Sequence, residues 1–173
     1  MNRVIGFALP PAAAVLASSL AFAAPTPLGS FQSWSAYETG DGDGQVCYAL
    51  SKPTSTEPAG IKRDPAFILI NDWPARHAKA EPEIVPGFQY RDGSSVTAQM
   101  GNETITFFTK NDGDQGGAWV EAQADEERLV TAMKTAAEAV VTGTSKRGTA
   151  VRDTYSLAGF ADALGKAQAA CSP

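Results

Sequence analysis

Cys47, Cys171 and His77 are the only cysteines and the only histidine of the chain, and they bound the chemistry it can carry. A Ser–His–acid triad would have to use His77, because there is no second imidazole. That histidine sits among Pro74, Arg76 and Lys79, the setting of an exposed loop imidazole. No Gly-x-Ser-x-Gly elbow is present. The nearest pattern, Thr142-Gly143-Thr144-Ser145, lacks the strand, sharp turn and helix that aim such a serine. Zinc wants three or four His, Cys or carboxylate ligands, and one histidine beside two cysteines does not supply a usual set. Asp41-Gly42-Asp43-Gly44 and Asp112-Gly113-Asp114 each resemble part of a calcium loop, yet neither completes the ligand series that ends in glutamate. Asp-Gly pairs serve equally as hairpin turns. Paired carboxylates for glycoside hydrolysis meet only in the fold. The candidates Glu81, Glu83, Glu103 and Glu121 read as solubilising residues of loops and strand edges. There is no phosphate-cradling glycine loop. No catalytic residue, metal or cofactor is therefore expected.

The cysteines point instead to a compartment. Arg3 is the only charged residue before Glu38, Val4 to Leu20 is almost wholly apolar or small, and Ala21-Phe22-Ala23 supplies a signal-peptidase pattern. Pro10-Pro11 breaks the run and leaves it short of the roughly 20 apolar residues of a spanning helix. Residues 1–23 thus read as a signal peptide, 24–30 as a short mobile leader rich in Pro, Gly and Ser, and 31–173 as a single domain. Cleavage leaves 150 residues (173 − 23), enough for one sizeable core. It also removes Arg3, taking the net charge from −5 to −6, with 13 basic residues against 19 acidic. An acidic domain without a concentrated Lys/Arg face is a poor binder of nucleic acid or anionic lipid. Neither nucleic acid nor a membrane span after signal cleavage is expected.

An even cysteine count in an exported chain predicts a disulfide. Cys171 shares the apolar stripe of Leu157, Phe160 and Leu164 on the last helix, and Cys47 lies in the buried-strand run Val46-Cys47-Tyr48-Ala49-Leu50. Bonding them closes a loop of over a hundred residues, worth about 4–5 kcal/mol on the chain-entropy model. A redox pair would place its cysteines close in sequence.

Around these residues the chain alternates and turns. Phe31 to Glu38 reads as a strand with Trp34 as its core residue. Thr39 to Gly44 is turn chemistry leading into the Cys47 strand. Lys52 to Pro65 is a Pro-rich surface loop, and Phe67 to Ile70 a strand buried on both faces. Asn71 to Pro86, with three prolines and His77, reads as a loop over an edge. Phe88 to Tyr90, Ser94 to Met100 and Thr104 to Lys110 are further strands, and an Asp/Gly turn leads into Ala118-Trp119-Val120. A first helix runs from Asp125 to Val140, its acidic start matched to the helix dipole. A hairpin over Val141 to Thr149 follows, then a helix capped by Ser156 and ending at Cys171. Many short strands with two late helices predict a mainly β sandwich with helices at one side.

Trp34, Trp119, Phe107, Phe108 and Tyr155 read as core. Trp73, between a buried strand and Pro74, is placed at a surface rim, where tryptophans anchor partners. Lys146 and Arg147 occupy a hairpin turn, where adjacent charges read as solvation; with Trp73 and Arg76 they complete the candidate partner-contact set.

Several runs together resemble the invasion-associated locus B family over most of the mature chain. They are Trp34 to Tyr37, Val46 to Ser51, Pro86 to Ser94, Ala118-Trp119, Ala132-Met133-Lys134 and, most specifically, Gly143 to Gly148 and Asp153 to Phe160, closed by Cys171. The resemblance implies a periplasmic or envelope-associated alphaproteobacterial protein with an immunoglobulin-like β-sandwich. The family is associated with bacterial entry into host cells, a phenotype and not a molecular activity, and it offers no catalytic residues to transfer. One departure is Trp73-Pro74, where relatives tend to carry a basic residue before the proline. The expected function is an exported, non-enzymatic module that binds an envelope or host protein or another envelope component. The alternatives are a carboxylate-based envelope hydrolase acting on glycans and a calcium-dependent adhesion module.

Overall fold

Period-two alternation dominates the chain and builds strands that each turn one face to a core. A computed structural model describes residues 24–172; the signal-peptide reading of 1–23 lies outside the described residues. Along the chain run β1 (Thr26–Phe31), β2 (Trp34–Thr39), β3 (Val46–Ser51), β4 (Ser55–Glu57), β5 (Phe67–Trp73), β6 (Ala78–Val85), β7 (Ser95–Met100), β8 (Glu103–Asp112) and β9 (Gln115–Trp119). Helix α1 (Gln123–Met133), β10 (Glu138–Thr144), β11 (Ala150–Ser156) and α2 (Phe160–Ala170) complete it. The strands lie in the order β1-β2-β3-β5-β6-β9-β8-β7-β10-β11-β4. The joint between β6 and β9 is the narrowest, sharing only Glu83↔Trp119 and Ile84↔Ala118.

The two halves on either side of that joint face each other as a sandwich. Trp34, Ala49, Ile68, Ile70 and Ile84 from one half share a buried cluster with Val96, Ala98, Ile105, Phe107, Val141 and Tyr155 from the other. The Trp34 indole N–H donates to the Ser156 carbonyl at 2.9 Å, tying β2 to β11. Helix α1 adds Leu129, Val130 and Met133 to that cluster. Helix α2 packs Phe160, Ala163, Leu164 and Ala167 against the inner face of β2 and β3. The disulfide Cys47–Cys171, with Cα atoms 5.8 Å apart, fixes its end there. The mainly β sandwich, the two helices in the second half and the single disulfide are thus as expected.

Several boundaries differ, each for a packing reason. Residues 24–30 are not only a leader: Thr26–Phe31 forms β1, paired with β2 from Thr26↔Glu38 to Phe31↔Trp34. Asn71 to Pro86 is no loop but the greater part of a β5–β6 hairpin. Pro82 is tolerated because β9 pairs only Glu83 and Ile84, leaving β6 an edge strand at that point. Phe88–Tyr90 contributes a single bridge, Tyr90↔Ser145, and no strand. The first helix stops at Met133, since the β-branched Val140-Val141-Thr142 pairs with both β7 and β11. Ser156 ends β11, and the cap of α2 is Gly159 at φ +88, where a Cβ would stand 1.9 Å from the Phe31 carbonyl oxygen.

Candidate functional site

The strands of β3, β5, β6, β9 and β8 alternate between the core and an outward face, and the outward face is where unexpected residues gather. From strand to strand, one row across it runs Ser35↔Leu50↔Leu69↔Glu83↔Trp119↔Phe108↔Ser95. The adjacent row reads Pro27↔Tyr37↔Tyr48↔Asn71↔Glu81. Directly opposed side chains in antiparallel strands stand ~5 Å apart at Cβ, so each row is a line of touching groups. Tyr37 and Tyr48 stack with centroids 5.4 Å apart, and Phe108 lies 6.1 Å from Trp119. Phe108, 47% exposed, is the exposed large apolar side chain among the described residues. The Trp119 ring lies over Gly117, where a Cβ would stand 2.1 Å from it, and the side chain is partly exposed. Trp119 and Phe108, read from sequence as core, therefore belong to the surface. Their neighbours Ala118 and Phe107 take the inward positions. Strict alternation through Phe107-Phe108 and Ala118-Trp119 carried that information, but two adjacent apolar residues hide which one faces in.

Glu83 sits between Leu69 and Trp119 on this face. Its Oε2 accepts from the Asn71 side-chain amide at 3.2 Å. Burial pushes its carboxyl above the ordinary range, with Glu81 adding to the rise and the Asn71 hydrogen bond opposing it. Burial, then Tyr37, likewise raises the Tyr48 phenol. Of the four carboxylates singled out from sequence, Glu81 and Glu83 thus share one face of β6. Glu103 pairs instead with Arg128, and Glu121 is exposed beyond β9.

The candidate partner contacts do not form one surface. Trp73 ends β5, and the Arg76 guanidinium lies 4.1 Å from the centre of its ring. The indole N–H of Trp73 is buried without an acceptor among the described residues. Lys146 and Arg147 are exposed in the β10–β11 turn, where the Lys146 amide donates to the Gln89 carbonyl, four residues past the end of β6. That is the opposite end of the β5–β6 hairpin; seven residues of β5 span roughly 20 Å. His77 is exposed at φ 54, closing the tight turn Pro74–Arg76. Next to it a groove of ≈ 730 Å³ separates Arg76, His77 and Lys79 from Glu126 and Glu127 of α1. Glu126 there is raised by burial first, then by Glu81 and Glu127.

The suspected calcium turns are ordinary turns. Gly42–Gly44 is a single 3₁₀ turn, and Gly113 and Asp114 join β8 to β9. Among the described residues no three His, Cys, Asp or Glu side chains converge. No helix among them is long and apolar enough to cross a membrane.

One buried charge pair lies on the inner side. Arg63 reaches both Asp153 oxygens, Nη2 to Oδ1 at 2.5 Å and Nη1 to Oδ2 at 2.8 Å, with side chains 8% and 6% exposed. Arg63 also donates to the Pro86 carbonyl at 2.9 Å and to the Thr56 hydroxyl at 3.0 Å, and that hydroxyl donates to Asp153 at 2.7 Å. The 52–65 segment, read from sequence as a surface loop, carries β4 paired with β11, and this network fastens it further to that strand. Tyr90 and Tyr155 lie beside it, their phenols pushed well up by burial and then by Asp153.

Known proteins match this architecture. The sequence pattern of the invasion associated locus B (IalB) protein family matches residues 34–168. The crystal structure of invasion associated protein B from Bartonella henselae superposes with a TM-score of 0.57 at 14% identity, covering 82% of this chain and 95% of that one. No curated protein sequence matches the chain.

Proposed function

The chain belongs to the invasion associated locus B family, and from that premise we propose that it is an exported envelope protein that works by binding another protein or envelope component, without catalysing a reaction. The observation that carries this reading is the outward face of the sheet, where Trp119, Phe108, Tyr37 and Tyr48 stand in rows with Asn71, Glu81 and Glu83. Partly exposed aromatics beside fixed polar groups are the composition of binding hot spots. The disulfide Cys47–Cys171 fits an oxidising compartment outside the cytoplasm. The Trp73–Arg76 stack at the hairpin tip is a second point of contact in this reading.

The test is a tagged capture from gently crosslinked envelopes of the native organism, run beside Trp119→Ala and Trp73→Ala versions. A partner held by the parent and lost with Trp119→Ala supports the outward face, and loss with Trp73→Ala alone moves the contact to the hairpin tip. Recovery of no partner from any version would overturn the binding reading.

The raised Glu83 beside Glu81 also meets the electrostatic half of the glycan-hydrolase alternative. The two are i and i+2 on one strand, however, and point to the same side, whereas a glycosidase pair flanks its bond. Release of reducing ends from envelope glycans by the parent and not by Glu83→Gln would favour that alternative.

A further inference from the structure

Glu83 is a half-buried carboxylate for which the described residues supply no paired cation. Among the described residues its hydrogen-bond partner is the neutral Asn71 amide, and no lysine or arginine pairs with it. Its neighbours on the face are Leu69 opposite on one side, Trp119 opposite on the other, and Glu81 two positions along its own strand. Two lysines border this patch: Lys110 lies opposite Gly117 in the next row, and Lys52 stands over the Phe67 ring, 5.7 Å from its centre; neither makes an ion pair among the described residues. The patch is thus aromatic, with a partly exposed indole directly opposite a carboxylate that no cation of the described residues pairs.

A guanidinium matches each of these features. It is planar and weakly hydrated, stacks on aromatic faces, and presents parallel N–H groups to a carboxylate. An ammonium offers the charge without the plane, and a neutral sugar offers a stacking face but leaves the Glu83 charge unmatched in a desolvated place. The complementary charge selects a basic partner, and the flat ring selects arginine. We propose that the Glu83–Trp119–Phe108 face binds an arginine side chain of a partner protein, its guanidinium stacked on Trp119 and hydrogen-bonded to Glu83. The proposal rests on the reading of the chain as a binding module and names the chemistry of what it binds.

The experiment is an NMR titration of the ¹⁵N-labelled protein with acetyl-Arg-Gly-Arg amide, with the citrulline version of the same peptide, and with a neutral N-acetylglucosamine trimer. A Trp119→Phe version assigns the Trp119 indole resonance. The expected result is movement of the Trp119 indole and Asn71 side-chain amide signals with the arginine peptide, at least about tenfold weaker with citrulline and in Glu83→Gln, a loss of about 1.4 kcal/mol. Glu83→Gln is isosteric and keeps the test sound even if Trp119→Ala fails to fold. No movement with the arginine peptide, equal binding of citrulline, or movement with the sugar alone would each overturn the assignment. Capture of an envelope partner that survives Glu83→Gln but is lost with Trp119→Ala would overturn it too, while leaving the binding-module reading intact.

Discussion

Asp153 and Glu83 are two carboxylates withdrawn from water on opposite sides of the same sheet, and the chain treats them differently. Asp153 turns inward from β11, and Arg63 closes on both its oxygens while Thr56 donates a further hydrogen bond. Glu83 turns outward from β6 and receives one neutral amide. A buried charge is costly unless it is paired and hydrogen-bonded, so the inner site is complete as folded and the outer one is not. The inner face holds the molecule together, through that pair, the shared core and the disulfide. The outer face carries Glu83, whose proposed partner lies outside the chain.

The strongest test of that division removes the inner fastenings. Replacing both Cys47 and Cys171 with serine opens a constraint spanning 124 residues and should cost about 5 kcal/mol on the chain-entropy model, read as the shift in urea midpoint. Next is Arg63→Met, which leaves Asp153 buried without its cation and should cost about 3–5 kcal/mol. The double variant Arg63→Met with Asp153→Leu should recover most of the loss, because apolar residues can replace a buried pair at little net cost. If Arg63→Met alone costs less than about 1 kcal/mol, Asp153 has found water instead, and the contrast with Glu83 weakens.

How far these two faces were legible in the sequence follows from what each depends on. Cys47 and Cys171 were readable because both fell on apolar stripes of strongly periodic elements. The hairpin after Val141 was readable because its turn residues are local. The outward face was not. Glu83 and Trp119 are 36 positions apart (119 − 83) and meet only through the register of β6 on β9, a long-range pairing of two residues. Asn71 to Pro86 looked like a loop because three prolines and several charges outweighed the Ile84 alternation. Pro82 is harmless there only because of where β9 stops. The Arg63–Asp153 pair was hidden the same way, by 90 positions of chain. The first helix was overextended because Val140 fits a helical stripe as well as a strand, and only tertiary pairing with β7 and β11 decides between them.

A smaller effect sharpens the outer side. Gly117→Ala places a methyl group 2.1 Å from the Trp119 ring, so the indole must lift from the sheet. The cost should be about 1–3 kcal/mol, the range for overpacking. The change should also appear in the tryptophan near-ultraviolet dichroism and as weaker capture by the outer face. An unchanged spectrum would mean that the ring does not lie on the sheet in solution, and the platform argument would fail with it.

The smallest effect is the most discriminating. Glu83 has a folded-state pKa above its ordinary 4.5, with burial as the largest cause. As pH rises from that ordinary value through the raised one, the unfolded chain loses this proton first and so binds fewer protons than the folded protein. Stability contributed by the group is therefore full below the ordinary value and is lost as pH rises through the folded one. Glu83→Gln removes the titration while keeping the shape and the Asn71 contact. The variant should melt slightly above the parent at neutral pH, within about 0.5 kcal/mol, and the difference should vanish below about pH 4. The opposite sign, a variant less stable than the parent at neutral pH and level with it in acid, would mean that a cation within the chain already serves Glu83. The outer carboxylate would then be as complete as Asp153, with nothing left for an arginine to supply.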